Sequence, residues 1–558
     1  MFLIYSSMKY IRQITDSFSA VGLILGLVFF CISLTPSLLP RNFVVQGILS
    51  GIVFTAGYII GHSGHWLWQF MEIKELTGRP AKISIKGLIS TLIVVAILVL
   101  NQMIVWQNSI RLRMEMPEIE TAYPLRLSCI AIITALIIIF LLRLFRFTAK
   151  KSVHIVKRYL PHRIAVVLGC TAVVMLLLSF IDGVIIKRAM STMDESFAAL
   201  NRLLDSEYEQ PEFENASGSK LSYISWNDIG RNGKKYVADG PTKADIAAVT
   251  KRESMQPIRV YAGYDTGETL EDRALIALEE LKRVGGFKRS TLIIATSTGT
   301  GWLDPSAVNT VEYIHGGDIA TVSLQYSYLP SWLTLLVEPE VAIEAANALF
   351  NSIYGYWTTL PGDERPKLYL YGLSLGALGS ADAIDLLSII TDPIDGALWS
   401  GPPFLSRRWN DLTRSRTPES SQWHPIYGDS SVIRFATQDG FPLIGDAEWG
   451  SFRIVYLQHA SDPMTFFSSN LAYTKPEWLG SNRGPDVSPY LRWFPIVSFL
   501  QIAFDVPMAT NVPLGYGHNF SPAAYIDAWL EITQPKDWNE ADTQRVKAHF
   551  IDFNPTPL

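Results

Sequence analysis

The sequence is poor in cysteine and in charge. Its three cysteines, Cys31, Cys129 and Cys170, all lie inside apolar runs. None falls beyond residue 190, so the later two thirds of the chain holds no disulfide framework, no cysteine-ligated zinc site and no cysteine nucleophile. Charged residues make up only 18% of the chain, and the net charge of −5 is mild. Without a basic block to neutralise phosphates, nucleic acid is not an expected partner. No Gly-Lys-Ser/Thr follows the Gly/Thr-rich stretch TGTGW, which argues against a nucleotide-cradling loop. No metal and no cofactor is expected.

What the sequence does contain is long hydrophobic runs. Apolar residues reach 48% and the mean hydropathy is +0.19, and the excess sits almost entirely in the first 190 residues. Crossing a bilayer as a helix takes about 20 apolar residues. Five stretches qualify: 18–39, 43–61, 85–106, 127–147 and 164–186. The first lacks a small-x-small cleavage site and is followed by further spans, so it reads as a retained helix. With five spans and the N-terminus inside, the inner segments carry Lys9, Arg12, Lys74, Arg79, Lys82, Lys86 and the basic residues of 143–163. The outer segments carry only Arg41, Arg111, Arg113, Arg126, Lys187 and Arg188. The positive-inside rule then places the C-terminal part outside the cytoplasm. His62 and His65 have a spacing that suits a metal, but beside Trp66 and Trp68 they read more simply as interfacial residues. Asp182, near the end of the fifth stretch, also reads as interfacial. Paired broken helices with mid-membrane charges, the mark of a transport path, are absent from the pattern.

Three units follow: a transmembrane domain over 1–190, a connector over 191–256 that opens with an amphipathic stretch at 189–204, and a catalytic domain over 257–558. From 257 onward, short apolar runs alternate with helical periodicity. Strands are expected at 257–264, 290–297, 318–328, 367–374, 396–403 and 452–461, with helices at 270–286, 340–357 and 376–390. That alternation predicts a mostly parallel sheet covered on both faces. The fold class is an α-helical transmembrane bundle followed by an α/β domain.

Gly372-Leu373-Ser374-Leu375-Gly376 is a G-x-S-x-G motif. The pattern alone is weak, since chance supplies about 0.2 matches in a chain of this length. Its context is specific: it ends a buried-strand pattern and opens a helix, as a nucleophile elbow requires. A serine hydroxyl needs a base to become a nucleophile, and in such folds the order is serine, acid, histidine. His518, in the loop GYGHNF, and His549, in the charged segment TQRVKAHFIDF, are the late histidines. The loop position favours His518. Eleven aspartates lie between Ser374 and His518. Asp462 stands out because it follows the strand ending in LQHAS, where an acid can orient the base; Asp505 and Asp486 are the alternatives. His459 precedes Asp462 and reads as a residue that packs or hydrogen-bonds at the strand end. An oxyanion site needs backbone N–H donors. The Leu375 amide is one, and the loop 297–301, with Thr298 and Gly299, is the expected source of the other.

The stretches TGTGWLDP (298–305), LQYSYLPSWL (324–333), LYLYGLSLGALG (368–379), GALWSGPP (396–403), YLQHASDP (456–463) and GYGHNF (515–520) resemble the α/β-hydrolase superfamily. The whole chain is similar to a bacterial family in which several N-terminal spans precede such a domain. The resemblance implies Ser374 as nucleophile, Asp462 as acid and His518 as base, in a bacterial inner membrane. The stretch 463–517 is longer than the usual connection from acid to histidine, and a cap is one reading of it.

A multi-span anchor holds the site near lipid. Tyr326, Tyr328, Trp332, Leu333, Phe466, Phe467, Trp478, Trp493 and Phe494 cluster in loops that could receive an acyl chain or rest on the bilayer. The expected partner is therefore a membrane lipid or other hydrophobic acyl ester. The reaction is ester cleavage or acyl transfer to another lipid. The competing classes are a non-enzymatic membrane protein on an inactive scaffold, and a transporter with an accessory domain.

Overall fold

The computed structural model describes residues 18–74, 78–159, 208–385, 389–441, 447–480 and 482–553, with scattered positions in 161–175 and Pro555. The expected fifth span, Asp182 and the amphipathic stretch at 189–204 lie almost wholly outside these residues. The chain forms two compact units. One comprises the N-terminal region together with Ser468–Leu479 and Val487–Met508; the other comprises the remainder.

The first unit is built on α1 (Ala20–Ser33), α2 (Phe43–Phe70), α3 (Arg79–Arg113) and α4 (Pro124–Val156). Among the described residues, α2, α3 and α4 are long and apolar enough to span a membrane. The expected first span is shorter than predicted. Ser19 caps α1, which runs for 14 residues, about 21 Å at 1.5 Å per residue. Pro36 and Pro40 keep the chain out of helix until Asn42 caps α2. Much of the apolar surface of α3 and α4 faces outward, including Val94, Ile97, Leu98, Ile133, Leu136 and Phe140, as helices in lipid require.

Three Gly-x-x-x-Gly pairs let these helices approach closely. A Cβ on Gly26 would meet the backbone O of Phe54 at 3.0 Å, and one on Gly57 the O of Leu25 at 2.7 Å, so α1 runs antiparallel to α2. A Cβ on Gly47 would lie 3.0 Å from Leu127 O and one on Gly51 2.6 Å from Ala131 O, so α4 runs parallel to α2. The Gln107 side chain of α3 accepts from the Arg41 amide at 3.0 Å, which brings the end of α3 to the start of α2. One end of the bundle therefore gathers Lys74, Arg79, Lys82, Lys86 and the basic residues of 143–158.

The opposite end takes in part of the long segment that precedes His518. The helix Val497–Asp505 packs there, with Val497 against Leu49 and Val53. Arg41 Nε donates to Asp505 Oδ1 at 2.8 Å, Nη1 to Gln46 Oε1 at 3.0 Å and Nη2 to Gln501 O at 2.9 Å. Ser37 and the Leu38 amide donate to the other Asp505 oxygen. Trp478, Trp493 and Phe494, expected around the catalytic loops, belong to this unit instead. So do two stretches of the expected cap.

The second unit carries a seven-stranded, all-parallel sheet in the order β1-β3-β2-β4-β5-β7-β6. The strands are β1 (Ile258–Ala262), β2 (Thr291–Thr296), β3 (Ile319–Leu324), β4 (Lys367–Leu373), β5 (Gly396–Ser400), β6 (Ile433–Ala436) and β7 (Arg453–Leu457). β1, β2, β3 and β5 are buried along their whole length, which is why they read as mainly apolar runs without a two-residue alternation of charge. Edge strand β6 has no such run, and its pattern predicts no strand. The helices include α5 (Leu270–Arg283), α6 (Pro305–Ile314), α7 (Glu340–Trp357), α8 (Leu375–Ala383) and α9 (Pro522–Thr533). Residues 208–256, expected as a connector, pack on this sheet: Arg259 Nη1 bonds Tyr236 O, and a Cβ on Gly233 would strike Tyr261.

The chain passes from β2 to β3 on one side and from β4 to β5 on the other. The carboxyl ends of β2 and β4, neighbours paired through Thr296 and Gly372, therefore flank the switch in strand order. Open α/β sheets place their ligand crevice at such a point.

Candidate active site

Ser374 follows β4 and caps α8 with φ 59° and ψ −123°, a strained conformation for a residue with a side chain. Its neighbours leave no room for anything but glycine. A Cβ on Gly372 would lie 2.2 Å from Gly376 O, and one on Gly376 would lie 2.1 Å from Thr296 O. The Ser374 amide donates to Ser400 O at 2.9 Å, which ties the turn to the end of β5.

Asp462 lies five residues past β7 and is fully buried. It caps the short helix Pro463–Phe466, with Oδ1 accepting from the Met464 amide at 2.8 Å. Its Oδ2 accepts from Thr465 Oγ1 at 3.2 Å and from His518 Nδ1 at 2.6 Å. A carboxylate on Nδ1 places the proton there and leaves Nε2 as the basic nitrogen. His518 is 7% exposed and Ser374 2%, so the pair opens on little solvent. Ser374 Oγ and His518 Nε2 are both buried and both lack a hydrogen-bond partner among the described residues. Gly401, with φ +51°, is what lets His518 in, since a Cβ there would lie 2.4 Å from Cε1.

The loop after β2 is held from several sides. Tyr326 Oη donates to Ser297 O at 3.2 Å, Tyr261 Oη to Gly301 O at 2.6 Å and Asn232 Nδ2 to Thr300 O at 2.8 Å. The Thr298 amide donates to Trp302 O at 3.0 Å and the Gly299 amide to Ser331 Oγ at 2.9 Å. Both expected oxyanion donors of this loop therefore have an acceptor within the protein in this structure. The amides of Leu375 and Gly376, at the start of α8, have no acceptor among the described residues, as the first N–H groups of a helix normally do not.

The other candidates have different positions. His549 lies at a helix end, where Nε2 pairs with Tyr313 Oη at 3.1 Å. Asp505 is buried with Arg41 in the first unit, and Asp486 accepts from Ser461. His62 stacks on Tyr58, and His65 contacts Gln69, all within α2. Tyr326 and Phe466 are buried, whereas Trp332, Leu333 and Phe467 keep part of their surface exposed.

Asp304 is the residue that the sequence reading missed. It caps α6 and accepts from the Ser306 amide at 2.9 Å. Burial pushes its carboxyl up to about 6, against the pull of the Ser306 bond, the Tyr525 hydroxyl and the nearby His518. Its signal was an Asp-Pro pair directly after a glycine-rich loop, the signature of a helix start.

A family model described as "Alpha/beta-hydrolase family" matches residues 258–546, more than half of the chain. A second, described as "Alpha/beta-hydrolase family N-terminus", matches residues 34–241. No curated protein and no solved structure matches it.

Proposed function

The chain belongs to the α/β-hydrolase family, and from that premise we propose that it is a membrane-anchored serine hydrolase acting on an acyl ester, with Ser374 as nucleophile, His518 as base and Asp462 as acid. One observation carries the reading. The histidine bound to Asp462 keeps its other nitrogen unpartnered, and the serine on the strained turn keeps its oxygen unpartnered. Buried polar groups without partners carry a cost, and a catalytic role is one reason for a fold to keep them.

In this mechanism Ser374 Oγ bonds to the ester carbonyl carbon as its proton passes to His518 Nε2. The carbonyl oxygen becomes an oxyanion facing the Leu375 and Gly376 amides. Collapse breaks the ester C–O bond, and His518 returns the proton to the leaving alcohol. Water, or the hydroxyl of a second lipid, then gives its proton to His518 and takes the acyl group, and Ser374 regains its proton. Asp462 stabilises the imidazolium in both halves.

The membrane helices favour a lipid or other hydrophobic ester. They also support an extracytoplasmic site. The basic residues gather at one end of the bundle, and the helix Val497–Asp505 packs at the other. A membrane-impermeant fluorophosphonate applied to intact cells producing the full chain tests both points. Wild type should be labelled and Ser374→Ala should not. Equal labelling of the two would overturn the nucleophile, and labelling only after lysis would overturn the orientation.

A further inference from the structure

The loop carrying His518 is held by a buried cluster that the mechanism above does not use. His459 Nδ1 donates to Gly517 O at 2.9 Å. The Gly517 amide donates to Ser461 Oγ at 2.9 Å. Ser461 Oγ in turn donates to Asp486 Oδ2 at 2.6 Å, and the Ser461 amide reaches the same oxygen at 2.9 Å. Both hydrogen-bonding groups of Gly517, the residue just before His518, are thus taken by side chains. The His518 amide is fixed as well, on Ala509 O at 2.8 Å.

The surroundings make this an unusual investment. His459, Ser461 and Asp486 are each at most 1% exposed. His459 Nε2 and Asp486 Oδ1 have no partner among the described residues, so two polar groups are buried at a cost for the sake of their other contacts. Burial pulls His459 down toward the neutral ring, with the Asp486 charge the first of the forces opposing it. Its ring also stacks on Phe520 at 4.5 Å, and Phe520 meets the His518 ring edge to face at 5.8 Å. Gly517, at φ +54°, takes a left-handed conformation that glycine accepts and that residues with a side chain rarely adopt.

Asp486 reaches this place by a particular route. It ends Gly480–Asp486, the short return of the chain to the catalytic unit between two stretches that belong to the membrane unit. The length of the segment from Asp462 to His518 thus has a use beyond bridging the acid and the base. It brings a second carboxylate to the loop of the base.

We propose that His459, Ser461 and Asp486 are positioning residues for the catalytic base, fixing the Gly517 peptides so that His518 Nε2 is aimed at Ser374. The inference rests on the serine-hydrolase reading and extends it to residues that no reacting atom touches. A misplacement of about 1 Å costs a reaction about 10²-fold, so releasing this loop slows chemistry without emptying the site.

The test uses the purified full chain and a fluorophosphonate, separating the maximal inactivation rate from the half-saturating concentration. His459→Gln removes the donor at Nδ1, and His459→Asn keeps an amide N–H near that position. Gln should lower the maximal rate about 10- to 100-fold with little change in half-saturation or in the final labelled fraction, and Asn should restore most of it. Asp486→Asn and Ser461→Ala should fall between. Equal rates in Gln, Asn and wild type would overturn the proposal. So would a reduced labelled fraction at an unchanged rate, since that reports only lost folded protein. Wild type that does not label at all would overturn the hydrolase reading itself, and this inference with it.

Discussion

Each unit buries a carboxylate beside a basic side chain, and the two pairs are partnered differently. In the membrane unit, Arg41 and Asp505 form an ion pair with no exposed side-chain surface. Each guanidinium nitrogen has an acceptor and each carboxylate oxygen a donor. In the α/β unit, the Asp462–His518 pair is nearly as buried, yet it stops one bond short, with His518 Nε2 and Ser374 Oγ unpartnered among the described residues. A closed network holds structure together, and an open one is available to a substrate. The same contrast appears in the backbone. The membrane helices use glycine to come together, whereas the catalytic turn forces a serine into a conformation that glycine would accept more readily.

Opening the closed network and blocking the open one should therefore fail differently. The larger effect is expected at the open site. Asp462→Asn leaves the cap on Met464 possible but no longer fixes the proton on His518 Nδ1. The turnover of an ester substrate should fall by about 10³- to 10⁴-fold, with the melting temperature nearly unchanged. A loss of under tenfold would show that another group orients the base. In the membrane unit, Arg41→Ala strands Asp505 as a buried charge and should cost about 3–5 kcal/mol. Thermal unfolding in detergent measures it. The double variant Arg41→Met with Asp505→Leu should recover most of that loss, because two apolar residues leave no uncompensated charge. A double variant as unstable as the single one would show that the surrounding Gln and Ser contacts need the ions.

Much of the catalytic unit was legible because its strands are buried on both faces and its punctuation is strong. The apolar runs at 290–297 and 367–374 and the glycines around Ser374 locate β2, β4 and the elbow from local chemistry alone. What was hidden depends on long-range contact. The apolar helix Val497–Asp505 lies far along the chain from α1 and α2, and nothing local says that Asp505 faces Arg41 across 464 residues. α1 was read too long because Leu38 and Leu39 are apolar, although Pro36 and Pro40 break the helix between them. The acceptors of the Thr298 and Gly299 amides, Trp302 O and Ser331 Oγ, were hidden too, because sequence shows glycine content and does not show which acceptors a loop reaches.

Asp304 sharpens the comparison at its smallest scale, because it is a buried carboxyl of the α/β unit with no Lys or Arg ion pair among the described residues to match Arg41. Its folded value of about 6 lies above the 3.8 of a free aspartate, so folding favours the protonated acid. That contribution is complete below pH 3.8 and is lost as pH rises through 6. The difference amounts to about 3 kcal/mol at most. Asp304→Asn keeps an oxygen for the Ser306 amide and cannot ionise. Its stability should match wild type near pH 4 and exceed it near pH 8, as followed by denaturant unfolding of the full chain across that range. Parallel curves for the two proteins would mean that the Tyr525 hydroxyl and the charge on His518 already hold the ionised form. Asp304 would then join the closed networks, and the contrast would rest on Ser374 and His518.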